Sequence, residues 1–323
     1  TTPGMEKTDV LDILHSLAPK YKKVILIGYP PFLMDIIFEA KKFKINLQRL
    51  NLKFLFAGEN FSERWRETIL EMAHCKSELF DSVSIYGTAD AEAIGHETPL
   101  SIFIRKKALS NKKFANEIFG DLPYVPTLVQ YNPENVFFEN VKGEIILTTK
   151  AGVPLVRYNI HDQGVPIPFE SIFKLIKEFG FEPQVNRLGL AVWDSPFVLL
   201  AGRKDVSVTL YALNIYPENI KSGLEDAHVS RYLTGKFKAE VKLQDRQKSQ
   251  KLHINVELAQ GVRPSKTIND IVRFCIFENL IRSNSEYRKL YTIFGQKVMP
   301  KIILSIFGDS AFIVKKSKLK WTS

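Results

Sequence analysis

The first ninety residues contain three short apolar segments separated by helical patterns, and this order restricts the fold more than any other feature of the sequence. The segments are residues 24–27, 54–57 and 83–86, which are strand-length and rich in branched or aromatic side chains. Residues 31–42 have helical spacing, and Asn60 with Glu63 resembles a capping box that opens a second helix ending near Met72. This alternation favours a parallel sheet with right-handed crossovers, so we predict an α/β fold.

A turn follows each of the three predicted strands, at residues 28–30, 58–60 and 87–90. Open parallel sheets bind ligands at the edge where the carboxyl ends of the strands meet. Gly58 and Gly87 would let the backbone approach a ligand there, and Tyr86 offers a flat ring for stacking. The alternative is that these glycines serve only to make turns.

The next segment with a clear pattern is residues 143–162. Residues 144–148 have the composition of a half-buried strand, Gly152 and Pro154 predict a turn, and a second apolar run at 155–158 leads to Asp162. Considered alone, Asp162 is either a ligand contact or a turn residue.

The pattern changes to α+β from Asp205 onward, and we place a domain boundary there, with residues 1–204 and 205–323 as the two domains. Residues 237–243 and 252–258 predict a hairpin, residues 268–280 a helix, and residues 302–307 and 311–314 strands. This part carries 20 lysines and arginines against 11 acidic residues, a net charge of +9, whereas residues 1–204 carry 25 against 24. Such a charge favours an anionic partner, or it is a solvated basic surface.

Several classes of protein are disfavoured by the sequence. The longest apolar runs are far shorter than a membrane span, and the first residues lack the apolar core of a signal peptide, so we expect no membrane partner. Two cysteines, Cys75 and Cys275, indicate a reducing compartment, and we predict a cytoplasmic protein. No P-loop, dinucleotide fingerprint, zinc-protease motif or serine-hydrolase elbow occurs.

Four segments in linear order resemble the successive core motifs of adenylate-forming (AMP-binding) enzymes. They are FLFAGE at 54–59, SIYGTAD at 84–90, the segment GEIILTT…PLVRYNIHD at 143–162, and AGRKDVSVTLYALNIYPENI at 201–220. The resemblance covers essentially the whole chain and is best to the branch of phenylacetate–CoA ligases and coenzyme-F synthetase-like proteins. It implies the C-terminal part of a large adenylation domain with a parallel-rich sheet, followed by a small mobile α+β domain.

The resemblance implies an adenosine site. Gly58 and Glu59 match the loop whose backbone borders the adenine, and Tyr86 matches the aromatic residue that stacks on it. Asp162 matches the acid that accepts hydrogen bonds from the ribose hydroxyls, for which a carboxylate is well suited. Arg203 matches the arginine near ribose and phosphate, where a guanidinium fork is useful, although a surface ion pair is the alternative.

The same resemblance implies roles near the phosphates. Gly87 and Thr88 lead to Asp90, which stands where the family has a glutamate that helps to hold Mg²⁺. Ala89 replaces the hydroxyl residue that usually precedes this acid, so Thr88 is left to contact a phosphate.

Two further positions concern domain movement and catalysis. Asp205 matches the hinge of the small domain, and Lys316 or Lys318 matches the lysine that approaches the α-phosphate. A solvated basic tail is the alternative for both lysines.

Two departures from the family bear on activity. Ala212 stands where the family has a glycine that lines the pantetheine tunnel, and the Ser/Thr/Gly-rich phosphate loop is not found. We therefore interpret the chain as the C-terminal portion of a longer ligase.

The leading hypothesis from the sequence is ATP-dependent adenylation of a small carboxylic acid, followed by acyl transfer, with coenzyme A as a possible acceptor. ATP or AMP and Mg²⁺ are the implied cofactors. The competing hypothesis is a degenerate, non-catalytic nucleotide-binding or partner module. Nucleic-acid binding through the basic part is a weaker third hypothesis, because Phe274 and Phe277 fall in an apolar helix pattern rather than on an exposed platform.

Overall fold

The computed structural model describes residues 1–120, 122, 124–150, 153–191, 193–203, 207–211, 213–244 and 249–312. The chain divides into two compact units, Thr1–Arg203 and Lys204–Ser323. Each unit has its own sheet, and each is described separately below.

The first unit contains nine strands and seven α-helices among the described residues. The strands are β1 (Val24–Gly28), β2 (Leu52–Ala57), β3 (Ser82–Thr88), β4 (Glu92–His96), β5 (Thr127–Gln130), β6 (Val136–Val141), β7 (Glu144–Thr149), β8 (Leu155–Ile167) and β9 (Phe197–Arg203). The α-helices are α1 (Lys7–Ser16), α2 (Pro30–Ala40), α3 (Glu63–Met72), α4 (Pro99–Ser110), α5 (Lys112–Phe119), α6 (Phe169–Glu178) and α7 (Glu182–Arg187).

The nine strands form one sheet in the order β1-β2-β3-β4-β5-β9-β8-β7-β6. β1, β2 and β3 are parallel, as their separation by helices predicts. From β3 to β6 every neighbouring pair is antiparallel. The predicted α/β class is therefore confirmed, with the parallel pairing concentrated among the first three strands.

Two apolar clusters cover much of this sheet. One packs α4, α5, α6 and α7 against β5 and β9 and includes Phe114, Ile176 and Phe197. The other joins β4 to β9 and includes Ile94, Phe138 and Leu200. The second cluster lies beside the strand ends that carry the predicted site.

One face of β1 is apolar and uncovered. Ile25 and Ile27 are 54% and 67% exposed, whereas Leu26 between them is buried. On the neighbouring strands, Leu55 and Ile85 are partly exposed while the alternating Phe54 and Phe56 are buried. Parallel sheets are normally covered on both faces, so this face is incompletely packed in the chain.

Four charged side chains form a buried network beneath the N-terminal end of β3. Arg66 on α3 donates to both oxygens of Glu97, at 2.6 and 2.7 Å, and to Glu63 at 2.9 Å. Arg105 on α4 reaches Glu63 at 2.5 Å and Glu97 at 2.7 Å. All four side chains are at most 1% exposed.

The network also holds backbone and strand positions. Arg66 donates to the Ser82 hydroxyl at 2.8 Å, Glu97 accepts from the Ser84 amide at 2.9 Å, and Arg105 donates to the carbonyl of Phe61 at 2.8 Å. Burial acts to raise the pKa of Glu63, but the attraction of Arg66 and Arg105 outweighs it and lowers the pKa. Glu63 can therefore stay ionised while the network fixes β3 against α3 and α4.

The second unit is α+β, as predicted. Its elements are β10 (Val208–Leu210), β11 (Leu213–Ile215), α8 (Pro217–Leu224), β12 (Leu233–Gln244), β13 (Ser249–Leu258), α9 (Lys266–Ser283), α10 (Ser285–Phe294) and β14 (Lys301–Ser305). β12 and β13 form the predicted antiparallel hairpin, and β14 joins β13 in parallel. Its core includes Phe237, Ile254 and Ile276, which brings together β12, β13 and α9.

Three local predictions were wrong. Phe274 is 59% exposed on α9, although the sequence placed it with Phe277 in an apolar pattern, and only Phe277 is buried. Ser62, and not Asn60, caps α3, because its hydroxyl accepts from the Trp65 amide at 3.1 Å. Ala311 and Phe312 lie in a short 3-10 helix, Ser310–Phe312, rather than in a strand, since the turn after β14 lets Phe312 fold back into the core. Residues 313–314 lie outside the described residues.

The buried network supports a stability prediction. Arg105→Met leaves Glu63 and Glu97 buried with a single cation, so the free energy of unfolding should fall by about 3–5 kcal/mol. Urea unfolding of the chain, followed by tryptophan fluorescence, measures this.

The matched control is Arg157→Met, which breaks the exposed 2.5 Å ion pair with Glu139. An exposed pair contributes about 0–1 kcal/mol, so this variant should unfold nearly as the parent does. Equal losses for the two variants would contradict the role given to the network.

Candidate functional site

Tyr86 and Asp162 meet although 76 residues separate them in the chain. The Tyr86 hydroxyl donates a hydrogen bond of 2.8 Å to Oδ2 of Asp162. Tyr86 is on β3 and Asp162 is on β8, so two distant strands converge here. Both side chains are half-buried.

Asp162 lies inside β8, and the alternative of a turn residue was therefore wrong. Its Cα is the partner of Arg203 on β9, which brings these two predicted site residues side by side on the backbone. The local strand is irregular: His161 has a φ of 61°, and its amide donates to the Asn159 side chain at 2.7 Å. The register shifts between Gln163 and Gly164. A bulge of this kind changes the direction of neighbouring side chains.

The Tyr86 ring is supported from one side by Phe138. The ring centroids are 6.3 Å apart and the planes are 27° from parallel. Tyr131 then packs edge-on against Phe138, at 4.7 Å between centroids. These contacts restrict the Tyr86 ring, which is what a stacking platform needs.

Gly58 and Glu59 lie at the same edge of the sheet as Tyr86. Ala57 on β2 is the neighbour of Ile85 on β3, and the two strands are parallel, so the residues that follow them leave the sheet together. Gly58 has a φ of +89°, a conformation that a side chain would strain.

Gly87 is required by a close backbone approach. A β-carbon there would lie 2.1 Å from the carbonyl oxygen of Glu92, at the register shift between Tyr86 and Gly87. The tight turn that follows is closed by Thr88, whose hydroxyl accepts from the Ala91 amide at 2.9 Å. Gly87 and Thr88 therefore shape the turn that presents Asp90.

Asp90 is joined to β8 by Tyr158, a residue to which the sequence analysis gave no role. The Tyr158 hydroxyl donates to Oδ2 of Asp90 at 3.1 Å, and this hydrogen bond raises the pKa of Tyr158. Tyr158 belongs to the same PLVRYNIHD segment as Asp162, so position within the motif was an available signal. β8 thus contacts both Tyr86 on β3 and Asp90 in the turn between β3 and β4.

Some predicted site residues cannot be located. Asp205, Ala212, Lys316 and Lys318 lie outside the described residues, as does the side chain of Arg203. Among the residues that are described, no three His, Cys, Asp or Glu side chains come together as metal ligands. Burial raises the pKa of the Cys75 thiol to about 12, with a further contribution from Asp81, so this thiol is poorly suited to act as a thiolate ligand.

A cavity of about 540 Å³ opens beside β4. Its wall includes His96 and Trp193, whose rings meet edge-on at 5.1 Å, together with Tyr131 and Glu134. Burial raises the pKa of Tyr131. Since Tyr131 packs on Phe138, one chain of aromatic rings connects this cavity to Tyr86.

None of the helices in the described ranges is long and apolar enough to cross a membrane.

The turn at Gly87 yields a testable prediction. Gly87→Ala should lower the free energy of unfolding by about 1–3 kcal/mol, because the β-carbon overpacks against backbone. Gly28→Ala is the control, since its β-carbon would make ordinary contacts of 3.4 Å or more with the Leu33 side chain. Thermal unfolding of both variants measures the difference, and an unchanged Gly87→Ala midpoint would contradict the close approach.

Comparison with known proteins finds solved structures with a similar fold. The sequence matches no protein-family model and no curated protein. Among solved structures, 2-hydroxyisobutyryl-CoA ligase in the postadenylation state, in complex with R3-HIB-AMP, is similar over 100% of this chain and 58% of its own, with a TM-score of 0.64 and 15% identity.

Two other solved structures are similar. The anthranilate CoA ligase AuaEII, in complex with anthranoyl-AMP, matches over 94% of this chain and 49% of its own, with a TM-score of 0.52 and 12% identity. A mutant of the amide bond synthetase McbA from Marinactinospora thermotolerans matches over 93% and 51%, with a TM-score of 0.50 and 12% identity. The chain thus spans about half to three-fifths of the length of these proteins. Over that span it has the fold of adenylate-forming ligases.

Proposed function

We propose that this chain is part of an ATP-dependent ligase that adenylates a carboxylic acid, in the phenylacetate–CoA ligase and coenzyme-F synthetase-like branch. The observation that carries the proposal is the 2.8 Å hydrogen bond between Tyr86 and Asp162. These are the two residues that the sequence assigned to the adenine and the ribose, and they meet in a fold shared with enzymes solved with acyl-AMP ligands.

In this proposal Tyr86 stacks on the adenine, and Gly58 and Glu59 border it. Asp162 accepts hydrogen bonds from the ribose hydroxyls, and Arg203 lies near ribose and phosphate. A carboxylate has about four lone-pair sites, so accepting from Tyr86 still permits bonds from a vicinal diol. The Tyr86–Asp162 bond then orients the acid before the nucleotide binds, which reduces the ordering that binding requires.

The reaction has two steps. The substrate carboxylate attacks the α-phosphate of ATP, which releases pyrophosphate and leaves an acyl-adenylate. An acceptor such as the thiol of coenzyme A then attacks the acyl carbon, and AMP leaves. For a phosphate-centred transfer of this kind, positioning and charge stabilisation supply most of the catalysis.

Asp90 is our proposed magnesium contact. One carboxylate is a sufficient donor set, because protein-bound Mg²⁺ is commonly held by one or two carboxylates together with substrate phosphates. Tyr158 holds one oxygen of Asp90 and so orients the group. A bound Mg²⁺ would offset the negative charge of the phosphates, and Lys316 or Lys318 would contribute charge near the α-phosphate.

The cavity beside β4 is our candidate for the acyl group. Its size lies in the usual range for small-ligand sites, about 300–1,000 Å³, and its wall combines the rings of His96, Tyr131 and Trp193 with polar and small side chains. The Tyr131–Phe138–Tyr86 contacts place its wall next to the proposed adenine platform. A flat aromatic acid would suit such a lining.

The uncovered face of β1–β3 supports the idea of a longer ligase. Ile25 and Ile27 would be buried if a further polypeptide segment packed there. The similar solved structures are also longer than this chain, which covers 58% of the first. We propose that this additional segment carries the phosphate loop, with residues 1–204 forming the rest of the large domain, residues 205–323 a small mobile domain and Asp205 its hinge.

The two unpaired cysteines fit a cytoplasmic location.

Nucleotide binding by the chain tests the site. Asp162→Asn should weaken AMP binding about tenfold or more, since it removes a charged acceptor worth about 1.5–3 kcal/mol. Isothermal titration of the chain with AMP measures it. The control is Asp194→Asn, which makes the same change at an exposed acid outside the site; equal affinities for the two variants would refute the ribose assignment.

A second pair of variants separates stacking from orientation. Tyr86→Phe keeps the ring but removes the hydroxyl that binds Asp162, so it should lose less AMP affinity than Tyr86→Ala.

Turnover distinguishes the ligase from a degenerate nucleotide-binding module. Ala89 and Ala212 favour the latter. The full-length gene product should catalyse ATP–pyrophosphate exchange that depends on an added carboxylic acid and on Asp90. AMP binding without exchange, across a panel of aromatic and aliphatic acids, would instead establish the non-catalytic module.

A further inference from the structure

The sheet of the second unit has one face that is polar and basic. Side chains alternate along β12, β13 and β14, so the residues between the core positions share the opposite face. The core side includes Ala239, Ile254 and Ile302. The opposite side carries Lys238, Glu240, Lys242, Lys251, His253, Asn255, Glu257, Lys301, Ile303 and Ser305. We call this set the polar sheet face.

His253 lies at the centre of the polar sheet face and has no hydrogen-bond partner in the part of the chain that the structure describes. It is 7% exposed, and both of its ring nitrogens are buried with no partner among the described residues. Its Cα partners are Glu240 on β12 and Lys301 on β14. A buried polar group without a partner costs about 1–3 kcal/mol, so an unpaired imidazole in this position needs an explanation.

The surrounding charges are mainly positive. Burial lowers the pKa of His253, and Lys301 and Lys242 lower it further, against the opposite effect of Glu240. Burial together with Arg273 lowers the pKa of Lys251. Each of these cations is held close to others of the same sign, an arrangement that an anion would stabilise.

The acids on this face are already engaged. Glu240 pairs with Lys242 at 2.7 Å. Glu257 pairs with the buried Lys236 at 3.4 Å and accepts from the Gly308 amide at 3.0 Å. Lysine has no acceptor atom, so Lys242 and Lys301 cannot receive the N–H of a neutral imidazole. An external acceptor would satisfy His253 and balance the lysines together.

We propose that the polar sheet face binds a polyphosphate anion, with His253 donating a hydrogen bond and Lys242 and Lys301 balancing its charge. These two lysines stand on the outer strands β12 and β14, about 10 Å apart, so linked phosphates match them better than one phosphate does. Apart from His253, the polar sheet face has no aromatic side chain on which nucleic-acid bases could stack. This site is independent of the proposed adenylation reaction.

The probe is inorganic tripolyphosphate, added to the chain while the His253 ring resonances are followed by NMR. Tripolyphosphate should shift these resonances saturably and raise the pKa of His253, because the anion favours the protonated imidazole. Binding should therefore tighten as the pH falls through the range in which His253 becomes protonated. The absence of a saturable shift at millimolar tripolyphosphate would overturn the proposal.

Variants make the assignment specific. Lys301→Ala and Lys242→Ala should each weaken tripolyphosphate binding about tenfold, whereas Lys289→Ala, at an exposed position of α10, should not. Equal losses for all three lysines would indicate general charge attraction and overturn the site.

His253→Leu separates binding from packing. Since the imidazole has no partner to lose, this variant should unfold at or above the parent temperature yet bind tripolyphosphate less tightly. Destabilisation with unchanged binding would show that His253 has a structural role only.

Further experiments identify which natural ligand carries the phosphates and separate this site from the proposed nucleotide site. ATP and coenzyme A, compared with tripolyphosphate, show which carrier perturbs His253 most strongly. Asp162→Asn should leave the His253 response to tripolyphosphate unchanged, so failure of one site does not imply failure of the other. A single-stranded RNA that perturbs His253 at lower concentration than tripolyphosphate would replace this proposal with nucleic-acid binding.

Discussion

The ion-pair network of Arg66, Arg105, Glu63 and Glu97 is the interaction on which the first unit depends most. Burying four charges carries a large desolvation cost, which only close pairing and full hydrogen bonding can offset. Both conditions hold, since each guanidinium contacts both carboxylates and also reaches a hydroxyl or backbone carbonyl. Removing any one member leaves an uncompensated buried charge, so all four side chains together hold α3, α4 and β3.

This network also explains how the proposed adenosine site can be formed before its ligand arrives. Glu97 holds the amide of Ser84, two residues before Tyr86 on the same strand. The Tyr86 ring is then supported by Phe138 and its hydroxyl by Asp162. A stacking ring that is fixed at both ends loses little freedom on binding, and this favours affinity.

Backbone irregularities complete the site. The register shift at Gly87 makes the turn to Asp90, and the shift beside Gly164 follows Asp162 directly. At both glycines a β-carbon would collide with a carbonyl oxygen, at 2.1 and 2.0 Å. These two irregularities therefore direct the side chains of Tyr86, Asp90 and Asp162 toward one edge of the sheet, which regular strands would not do. In the second unit, by contrast, the described residues beside His253 show no bulge. The ring nitrogens of His253 have no hydrogen-bond partner among the described residues, and His253 lies where β12 and β13 pair regularly.

The sequence by itself determined the strand and helix order of residues 24–88, although not the first helix, and it determined the hairpin of β12 and β13 and the turns at Gly58 and Gly87. These features depend on the alternation of apolar and polar side chains and on turn-forming residues that lie close together in the chain. The sequence therefore shows them directly. Only the tertiary structure decided that Tyr86 meets Asp162, that Tyr158 holds Asp90 across 68 residues, and that His253 is buried among lysines. Charged residues such as Arg66 and Arg105 have the helical spacing of ordinary surface positions, and their burial follows from partners on distant elements. Contacts of this kind arise from how elements pack, because no local pattern specifies which distant side chain will satisfy a buried charge or an unpaired ring nitrogen.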